Sequence, residues 1–337
     1  MVVYAWWFEN YNSTAIILPL SEINSLNKPA VEPSNLTATA PLTGLPATPE
    51  DAARRAWAVA VENFPSVRPQ FGLASADIVF ESPTEGGITR FLAIFQSRLP
   101  WGKLGPVRSA RPYFNNWARI FNAFYSHSGG TAEALDDLRV NSSHLQDVNE
   151  FFNEQAYQRD ESKKAPHNLF TTAERFWNYV KQKNWPTTSQ VPNLNFSSAL
   201  PTSSQATIIT LPYYPSEYEV NYNYRGNEGV YERSEAGEVQ QDASTNQPIW
   251  VTNVIVWLTD ITPILNDPLL KVDVRTAGKG KLLLFAGGQR YEGQWRLNPT
   301  DNTFKLTTPQ GTSLKLKPGN IWISVMDSNL EKDIKVE

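Results

Sequence analysis

Short apolar runs bounded by Pro and Gly dominate the first half of the chain. Three of them, at 56–63, 76–83 and 88–97, have the length of buried strands, and 124–130 resembles a fourth. Between these runs the apolar residues of 112–123 recur at helical spacing, and 131–140 and 171–183 also follow a helical pattern. The alternation predicts an α/β layered domain, with a mixed sheet and flanking helices.

The second half follows a different pattern. From about residue 206, short segments of alternating apolar and polar residues, such as "EYEVNYNYR" and "NTFKLTT", are separated by turns rich in Gly, Asn and Asp. This pattern predicts a smaller, mainly-β domain, built as a twisted antiparallel sheet or a small barrel.

Two tracts rich in Pro, Ser and Thr lie outside these patterns. Residues 25–50 lack apolar periodicity and are expected to be extended and weakly ordered, and 185–205 has the composition of a linker. A length of 337 residues also favours two domains. We therefore predict a stalk with an anchor remnant at 1–40, an α/β domain at 41–184, a linker at 185–205 and a mainly-β domain at 206–330.

Composition removes several classes of function. The net charge of −4 argues against a general nucleic-acid binder. Without cysteine the chain has no thiol catalysis, disulfide or cysteine-bound zinc, and its three histidines are too scattered for a metal motif. No G-x-S-x-G elbow, P-loop or zinc signature is present. We expect neither a metal site nor a cofactor.

The beginning of the chain suggests where the protein resides. Its first twenty residues are too short and too polar for a spanning helix, and they lack the features of a secretory signal. The aromatic-rich "VVYAWWF" is interpreted as the tail of a membrane anchor, and the polar stretch after it as a solvated stalk. These features predict an extracytoplasmic location at the cell envelope, with membrane contact only through the N-terminal anchor.

Three arginines are expected to reach one end of the first sheet. Arg90 lies at a strand start, and Arg108 and Arg111 follow the next apolar run. Ligands of open α/β sheets bind at such an end, and the guanidinium fork suits phosphate or carboxylate. The alternative is a purely structural network in which these arginines pair with the nearby acids Asp77, Glu81 and Glu85.

A second candidate feature is "HSGG", which joins a strand to a helix. The backbone N–H groups around Gly129 and Gly130 would form an anion site at the helix N-terminus, or the glycines would serve only a tight turn. The neighbouring His127 is a candidate acid or base, or else a packed, hydrogen-bonded residue.

Two further groups have two interpretations each. His167 and Asn168 follow Pro166 in the charged stretch 159–170, where they would present a ligand site or bridge backbone groups of the loop. In the second half, four tryptophans would form a sugar-stacking platform or belong to the core: Trp250, Trp257, Trp295 and Trp322.

Several blocks of sequence between about residues 41 and 327 resemble the YerB-like family of bacterial lipoproteins. They include "PLTGLP", "GPVRSARPYF", "HSGG", "KKAPHNLFT", "GGQRYEGQW" and "LKPGNIWISV". The resemblance implies a two-domain extracytoplasmic protein of undefined activity. This chain departs from such lipoproteins by lacking the lipid-accepting cysteine.

The stretch "TRFLAIFQSRLPWGKLGPVRSAR" is also similar in layout to the core of the LytR-CpsA-Psr family, which attaches phosphate-linked glycopolymers to bacterial walls. Arg90 and Arg108 match its arginines, but Phe91 and Ser109 replace the usual neighbouring aspartates. Binding of Mg²⁺ would therefore need Asp77, Glu81 or Glu85 instead.

Two functional hypotheses result. The favoured one is a protein that binds an anionic, phosphate-bearing ligand or a glycan, from the cell wall or from a glycolipid. The alternative is a phosphotransferase-like, Mg²⁺-dependent enzyme acting on glycopolymers linked to polyprenyl pyrophosphate.

Overall fold

The computed structural model describes residues 35–141 and 143–337, so most of the predicted anchor and stalk lies outside the described residues. The described part of the first half contains ten strands: β1 (Ala38–Thr39), β2 (Pro46–Ala47), β3 (Trp57–Glu62), β4 (Ile78–Pro83), β5 (Thr89–Phe95), β6 (Lys103–Leu104), β7 (Phe124–His127), β8 (Gln146–Asn149), β9 (Gln158–Arg159) and β10 (Leu169–Thr172). Its helices are α1 (Pro49–Ala53), α2 (Pro112–Ile120), α3 (Ala132–Val140) and α4 (Ala173–Gln182).

The second half is built from strands, which are mostly short: β11 (Ser204–Gln205), β12 (Ile208–Leu211), β13 (Val220–Arg225), β14 (Val230–Glu235), β15 (Glu238–Val239), β16 (Gln241–Asp242), β17 (Gln247–Pro248), β18 (Trp250–Val251), β19 (Asn253–Thr259), β20 (Ile261–Pro263), β21 (Val272–Val274), β22 (Gly278–Ala286), β23 (Gln289–Asn298), β24 (Thr303–Thr307), β25 (Ile321–Asp327) and β26 (Lys335–Val336). The prediction of a mainly-β second domain is confirmed.

The three predicted helices are confirmed, and local signals explain their boundaries. Pro112 opens α2, where a missing N–H costs nothing. The side chains of Thr131 and Thr172 accept hydrogen bonds from the backbone N–H groups of Ala134 and Arg175, and so cap α3 and α4. Sequence periodicity and capping chemistry therefore agree in each case.

One mixed sheet of eleven strands runs through both halves of the chain. Its order is β11-β23-β22-β19-β25-β4-β5-β3-β7-β8, with β24 beside β23. The halves join where β25 pairs in parallel with β4, from Ile321 opposite Ile78 to Ser324 opposite Glu81. Because both faces of this centre are covered, β3 and β25 are continuous apolar runs with hardly any alternation.

A second, six-stranded sheet covers one face of the first. It has the order β15-β14-β13-β12-β26, with β18 beside β14, and its neighbouring strands are antiparallel. Tyr222 and Ile209 from this sheet share a core with Val59 and Phe91, whereas α2 and α3 pack on the opposite face with Ala58 and Leu92. The small-barrel alternative is wrong, because most strands of the second half are divided between two open sheets, and the remaining ones form the two-stranded pairs β16-β17 and β20-β21.

The two Pro-rich tracts are more ordered than their composition suggests. Leu42 is fully buried between β1 and β2, so the expectation of weak order is wrong for residues 38–50. In the predicted linker 185–205, Phe196 forms a bridge with Leu316, and Leu194 packs against the same core. Scattered apolar side chains fix both tracts to the domains beside them.

Candidate functional site

The segment 106–111 places two of the predicted arginines, Arg108 and Arg111, at the carboxyl ends of β3 and β7. The Arg108 N–H donates to the carbonyl of Ala60 (2.9 Å), and the Arg108 carbonyl accepts from the N–H of Ser128 (3.0 Å). The Ala110 N–H donates to the carbonyl of Gly129 (2.9 Å). The segment therefore lies between the ends of two parallel strands, the position where open α/β sheets bind ligands.

Arg90 and Arg111 share a single carboxylate. Glu85 accepts from Nη2 of Arg90 at 2.9 Å and from Nε of Arg111 at 3.0 Å, and Nη2 of Arg111 makes a second, short contact. Arg90 also donates from Nη1 to the carbonyl of Ser109 at 3.1 Å. The backbone of Gly86 and Gly87 is left-handed (φ 62° and 77°), a conformation that glycine adopts without strain.

The charges of this cluster stabilise one another. Burial alone would raise the pKa of Glu85, but the positive charges of Arg90 and Arg111 and the hydrogen bond from Arg111 lower it to about 2. Burial and the repulsion of Arg111 lower the pKa of Arg90, and Glu85 offsets part of this. Glu85 is therefore ionised at neutral pH.

Arg108 has a different partner, the buried Glu62 at the end of β3. Its Nε lies 3.3 Å from Oε1 of Glu62, and Nδ1 of His167 lies 2.9 Å from the same carboxylate. The ring of Phe64 stacks on His167 with centroids 5.8 Å apart. Glu62 thus holds Arg108 and His167 side by side at the surface.

Asp77 and Glu81 do not join the arginines, contrary to the structural network considered from the sequence. Arg90 is opposite Ser82 in the register of β4 and β5, so Asp77 lies at the other end of the strand, where it accepts from the N–H groups of Gln96 and Ser97. Glu81 points to the other sheet face, because neighbouring strand residues alternate, and it pairs with Arg233 at 2.7 Å.

His127 is a fully buried, hydrogen-bonded residue. Nδ1 lies 2.7 Å from the carbonyl of Gly129, and Nε2 lies 2.8 Å from Oδ1 of Asp147. Both partners are acceptors, so the ring is held between them. This geometry supports the structural interpretation of His127.

The Gly129–Gly130 turn is likewise occupied by the protein itself. The N–H of Gly129 donates to Oδ1 of Asn149 at 3.1 Å, and Gly130 packs closely against Ala110. At the start of α3, hydrogen bonds from its own backbone and from Thr131 lower the pKa of Glu133, so this carboxylate fills the helix N-terminus. The turn interpretation of the glycines fits better than an open anion site.

The loop containing Asn168 is fastened to the same sheet end. Asn168 accepts from Nη1 of Arg159 (3.0 Å), Nη2 of Arg159 pairs with Glu150 (2.6 Å), and Glu150 accepts from the hydroxyl of Ser128 (2.8 Å). The chain of contacts fixes the backbone on which His167 is presented. These contacts support the structural interpretation of Asn168.

Three of the four tryptophans lie in the core. Trp257 stacks on Trp295 with centroids 4.4 Å apart, and Trp322 donates from Nε1 to Glu81 at 3.1 Å. All three are buried, which rules out a sugar-stacking platform formed by them. Trp250 is partly exposed.

A cleft of about 310 Å³ lies beside Arg111, between the two halves of the chain. Arg111 and Lys271 line it together with three acids, Glu85, Glu133 and Asp273, so negative groups are in the majority. Arg108 and His167 are not among its lining residues. The cleft is therefore a poorer anion site than the surface at Arg108.

The described residues lack two features. They contain no group of three or more His, Cys, Asp or Glu side chains arranged to hold a metal ion. Within 35–141 and 143–337, no helix has the length and apolarity needed to cross a membrane.

The residue that sequence reasoning missed is Glu62. An acid at the end of the apolar run "WAVAV" was the available signal, because a buried carboxylate needs a cationic or hydrogen-bonding partner. Its partners are distant in the sequence, at Arg108 and His167, which is why local patterns did not reveal the pairing.

The sequence and the structure of this chain are similar to those of known proteins. The model of the N-terminal domain described as a protein of unknown function (DUF3048) matches residues 42–186, and the model of its C-terminal domain matches 209–323. A Bacillus subtilis protein named "Putative lipoprotein YerB" is 32% identical over 308 residues, covering 90% of this chain and 91% of the relative. A crystal structure of the YerB protein from Bacillus subtilis has a TM-score of 0.79 and 31% identity, and covers 89% of this chain and all of that one.

Proposed function

The chain belongs to the DUF3048 family, and because it is similar to a Bacillus subtilis protein named "Putative lipoprotein YerB", we propose that it is an extracytoplasmic, membrane-anchored protein of the cell envelope. In this proposal it binds a phosphate-bearing anionic group, free or attached to a cell-wall glycan or glycolipid. Arg108 makes the principal contact.

The observation that carries the proposal is the unused hydrogen-bonding capacity of Arg108. Its side chain is 22% exposed, its Nε is buried against Glu62 at 3.3 Å, and its Nη1 donates to the carbonyl of Pro166 at 3.3 Å. Among the described residues, Nη2 and the second N–H of Nη1 have no hydrogen-bond acceptor, out of the five N–H donors of a guanidinium group. By contrast, all three nitrogens of Arg111 donate to Glu85 or Ala110. Arg108 is thus the arginine of the cluster with donors left for a ligand.

The local charge balance also favours an anion. Arg90, Arg108 and Arg111 pair directly with two carboxylates, Glu62 and Glu85, so these ion pairs alone leave one positive charge in excess. The further acids Glu133 and Asp273 line the cleft beside Arg111, which Arg108 does not line. The Arg108 guanidinium is also partly desolvated, and a charge-assisted hydrogen bond to phosphate is stronger there than in open water.

The neighbours of Arg108 give the site a definite shape. Glu62 orients the guanidinium group, and His167 with Phe64 supplies an aromatic edge beside it. A sugar attached to the phosphate could pack against that edge. We therefore place the phosphate on Arg108 and any attached sugar toward His167.

The geometry gives the transfer reaction less support than binding. That hypothesis needs Asp77, Glu81 or Glu85 as carboxylates near Arg90 and Arg108. Asp77 and Glu81 lie elsewhere, and Glu85 is engaged by two arginines. The proposal is accordingly limited to binding.

Calorimetric titration of the wild type and of Arg108→Ala tests the proposal, with inorganic pyrophosphate, a short-chain prenyl pyrophosphate and a chitin oligosaccharide as probes. We expect pyrophosphate-bearing probes to bind the wild type, and the variant to lose about 1.5–3 kcal/mol of binding free energy, the range for a charge-assisted hydrogen bond. This loss corresponds to about a 10- to 150-fold weaker dissociation constant.

The matched control is Arg139→Ala, which removes the same charge from an exposed arginine on α3 whose ion-pair partner among the described residues is Asp136. It should leave binding unchanged. Equal losses in both variants would show a general charge effect. Undetectable binding of every probe to the wild type would contradict the proposal, as would unchanged affinity in a folded Arg108→Ala protein.

A further inference from the structure

The turn between β20 and β21 exposes four aliphatic side chains within seven residues. Leu265, Leu269 and Leu270 are 88%, 64% and 69% exposed, and Ile264 is 44% exposed. The two strands that carry the turn pair only with each other, outside the larger sheets. A cluster of exposed large aliphatic residues marks a contact surface.

Most backbone N–H groups of this turn donate hydrogen bonds to acceptors within the turn itself. The N–H of Ile264 donates to the carbonyl of Lys271 (2.9 Å), that of Asp267 to Ile264 (3.3 Å) and that of Leu270 to Asp267 (3.1 Å). The N–H groups of Leu269 and Lys271 donate to Oδ1 of Asp267 at 2.9 and 3.3 Å. Backbone that enters an apolar medium must be satisfied internally in this way.

The acidic residue of the turn is also neutralised from within. Oδ2 of Asp267 lies 3.0 Å from Nζ of Lys271, while Oδ1 accepts the two backbone hydrogen bonds already described. Residues 264–271 therefore carry no net charge and no acid without a partner. Burial of the leucines would not bury an uncompensated carboxylate.

We propose that the turn 264–271 inserts its leucines into the outer hydrocarbon region of a lipid bilayer. Insertion of this kind needs apolar side chains and an internally satisfied backbone, and the turn has both. A protein partner is less suited to it, since the energetic centres of protein interfaces are enriched in Trp, Tyr and Arg and poor in Leu. The turn contains none of those three residue types.

The inserted turn would bring the arginine cluster close to the lipid surface. The carbonyl of Leu270 accepts from the N–H of Gly86 (3.2 Å), directly after Glu85. Lys271 and Ile264 also line the cleft next to Arg111. This surface does not depend on the anion proposed for Arg108, and the following experiment uses no such ligand.

Because the chain has no cysteine, a single engineered one can carry a fluorophore that reports the polarity around it. We would label Leu265→Cys in the full chain and add vesicles of phosphatidylethanolamine and phosphatidylglycerol. The matched control is Val140→Cys, at an exposed valine that is 65% accessible at the end of α3. A second labelled position, Leu269→Cys, repeats the measurement within the turn.

In vesicle-bound protein, emission from positions 265 and 269 should shift to shorter wavelength, rise severalfold and be quenched by spin-labelled lipid chains, while position 140 should stay aqueous. The proposal is overturned if both turn labels stay aqueous in bound protein. It is also overturned if their signal changes with protein concentration alone, because the turn would then contact a second copy of the chain.

Discussion

Replacing Glu85 by Gln tests how the arginine cluster contributes to stability. Glu85 is a suitable probe because its side chain is only 23% exposed and it contacts both Arg90 and Arg111. Glutamine keeps the size and polarity of the side chain but removes the charge. The variant therefore leaves the two arginines without their shared counter-ion.

The expected effect can be worked from the pKa of Glu85, which lies at about 2 instead of 4.5. At about 1.4 kcal/mol per pKa unit, ionised Glu85 stabilises the folded state by up to about 3.4 kcal/mol above pH 5. Partial exposure screens this contribution to about 2–3 kcal/mol. Since the folded-state pKa is the lower one, the stabilisation is present above pH 4.5 and is lost as the pH falls toward 2.

Urea unfolding at several pH values between 3 and 7 measures the difference between the wild type and Glu85→Gln. The difference should be about 2–3 kcal/mol at pH 7 and about 1 kcal/mol at pH 3. The control is Glu228→Gln, which removes the same charge at an exposed glutamate in the turn between β13 and β14 and should leave the free energy of unfolding at pH 7 nearly unchanged. A Glu85→Gln difference that stays constant from pH 7 to pH 3 would refute the reasoning.

Two further changes test the fold. Arg233→Met removes the cation between the buried carboxylates of Glu81 and Glu235. Thermal unfolding should show that the free energy of unfolding falls by about 3–5 kcal/mol, and a decrease below about 1 kcal/mol would contradict the ion-pair assignment. Gly319→Ala would place a Cβ 2.1 Å from Oγ1 of Thr252, so it should cost more than about 2 kcal/mol. Its control, Gly311→Ala, also has a positive φ but meets no atom within 4 Å, and should cost only about 1 kcal/mol; equal costs would refute the clash.

The fold was predictable from the sequence where local signals determine it. The helices α2, α3 and α4 have apolar spacing and a cap or proline at the expected position, and both signals act within one or two turns. The pairing of β25 with β4 joins residues more than 240 positions apart, and no local pattern records such a partner. The run "IWISVM" is apolar at nearly every position, as a strand covered on both faces is, but the run does not record which strand lies next to it.

The candidate site was predictable to a similar degree. The position of Arg108 and Arg111 after an apolar run placed them at the sheet end, but their counter-ions depend on strand register. Once Arg90 is opposite Ser82, alternation excludes Glu81 from its face, and the carboxylate of Glu85 beyond the strand end becomes the available partner. Because the sequence alone does not give the pairing register of β4 and β5, the counter-ions of the arginines could not be assigned from it.

The large sheet connects the arginine cluster with the turn 264–271. Strand β4 ends at Pro83, just before the Glu85 turn, and its neighbour β25 pairs with β19, which leads directly into β20. Residues 84–87, which follow β4, therefore contact both features. The N–H of Gly86 donates to the carbonyl of Leu270 in the turn 264–271, and the carboxylate of Glu85 accepts hydrogen bonds from Arg90 and Arg111. Arg108 stands apart, because its counter-ion is Glu62 on β3. A displacement of the turn 264–271 should thus first change the positions of Arg90 and Arg111. It should change the affinity of Arg108 for an anion only through the smaller, screened repulsion between the guanidinium groups.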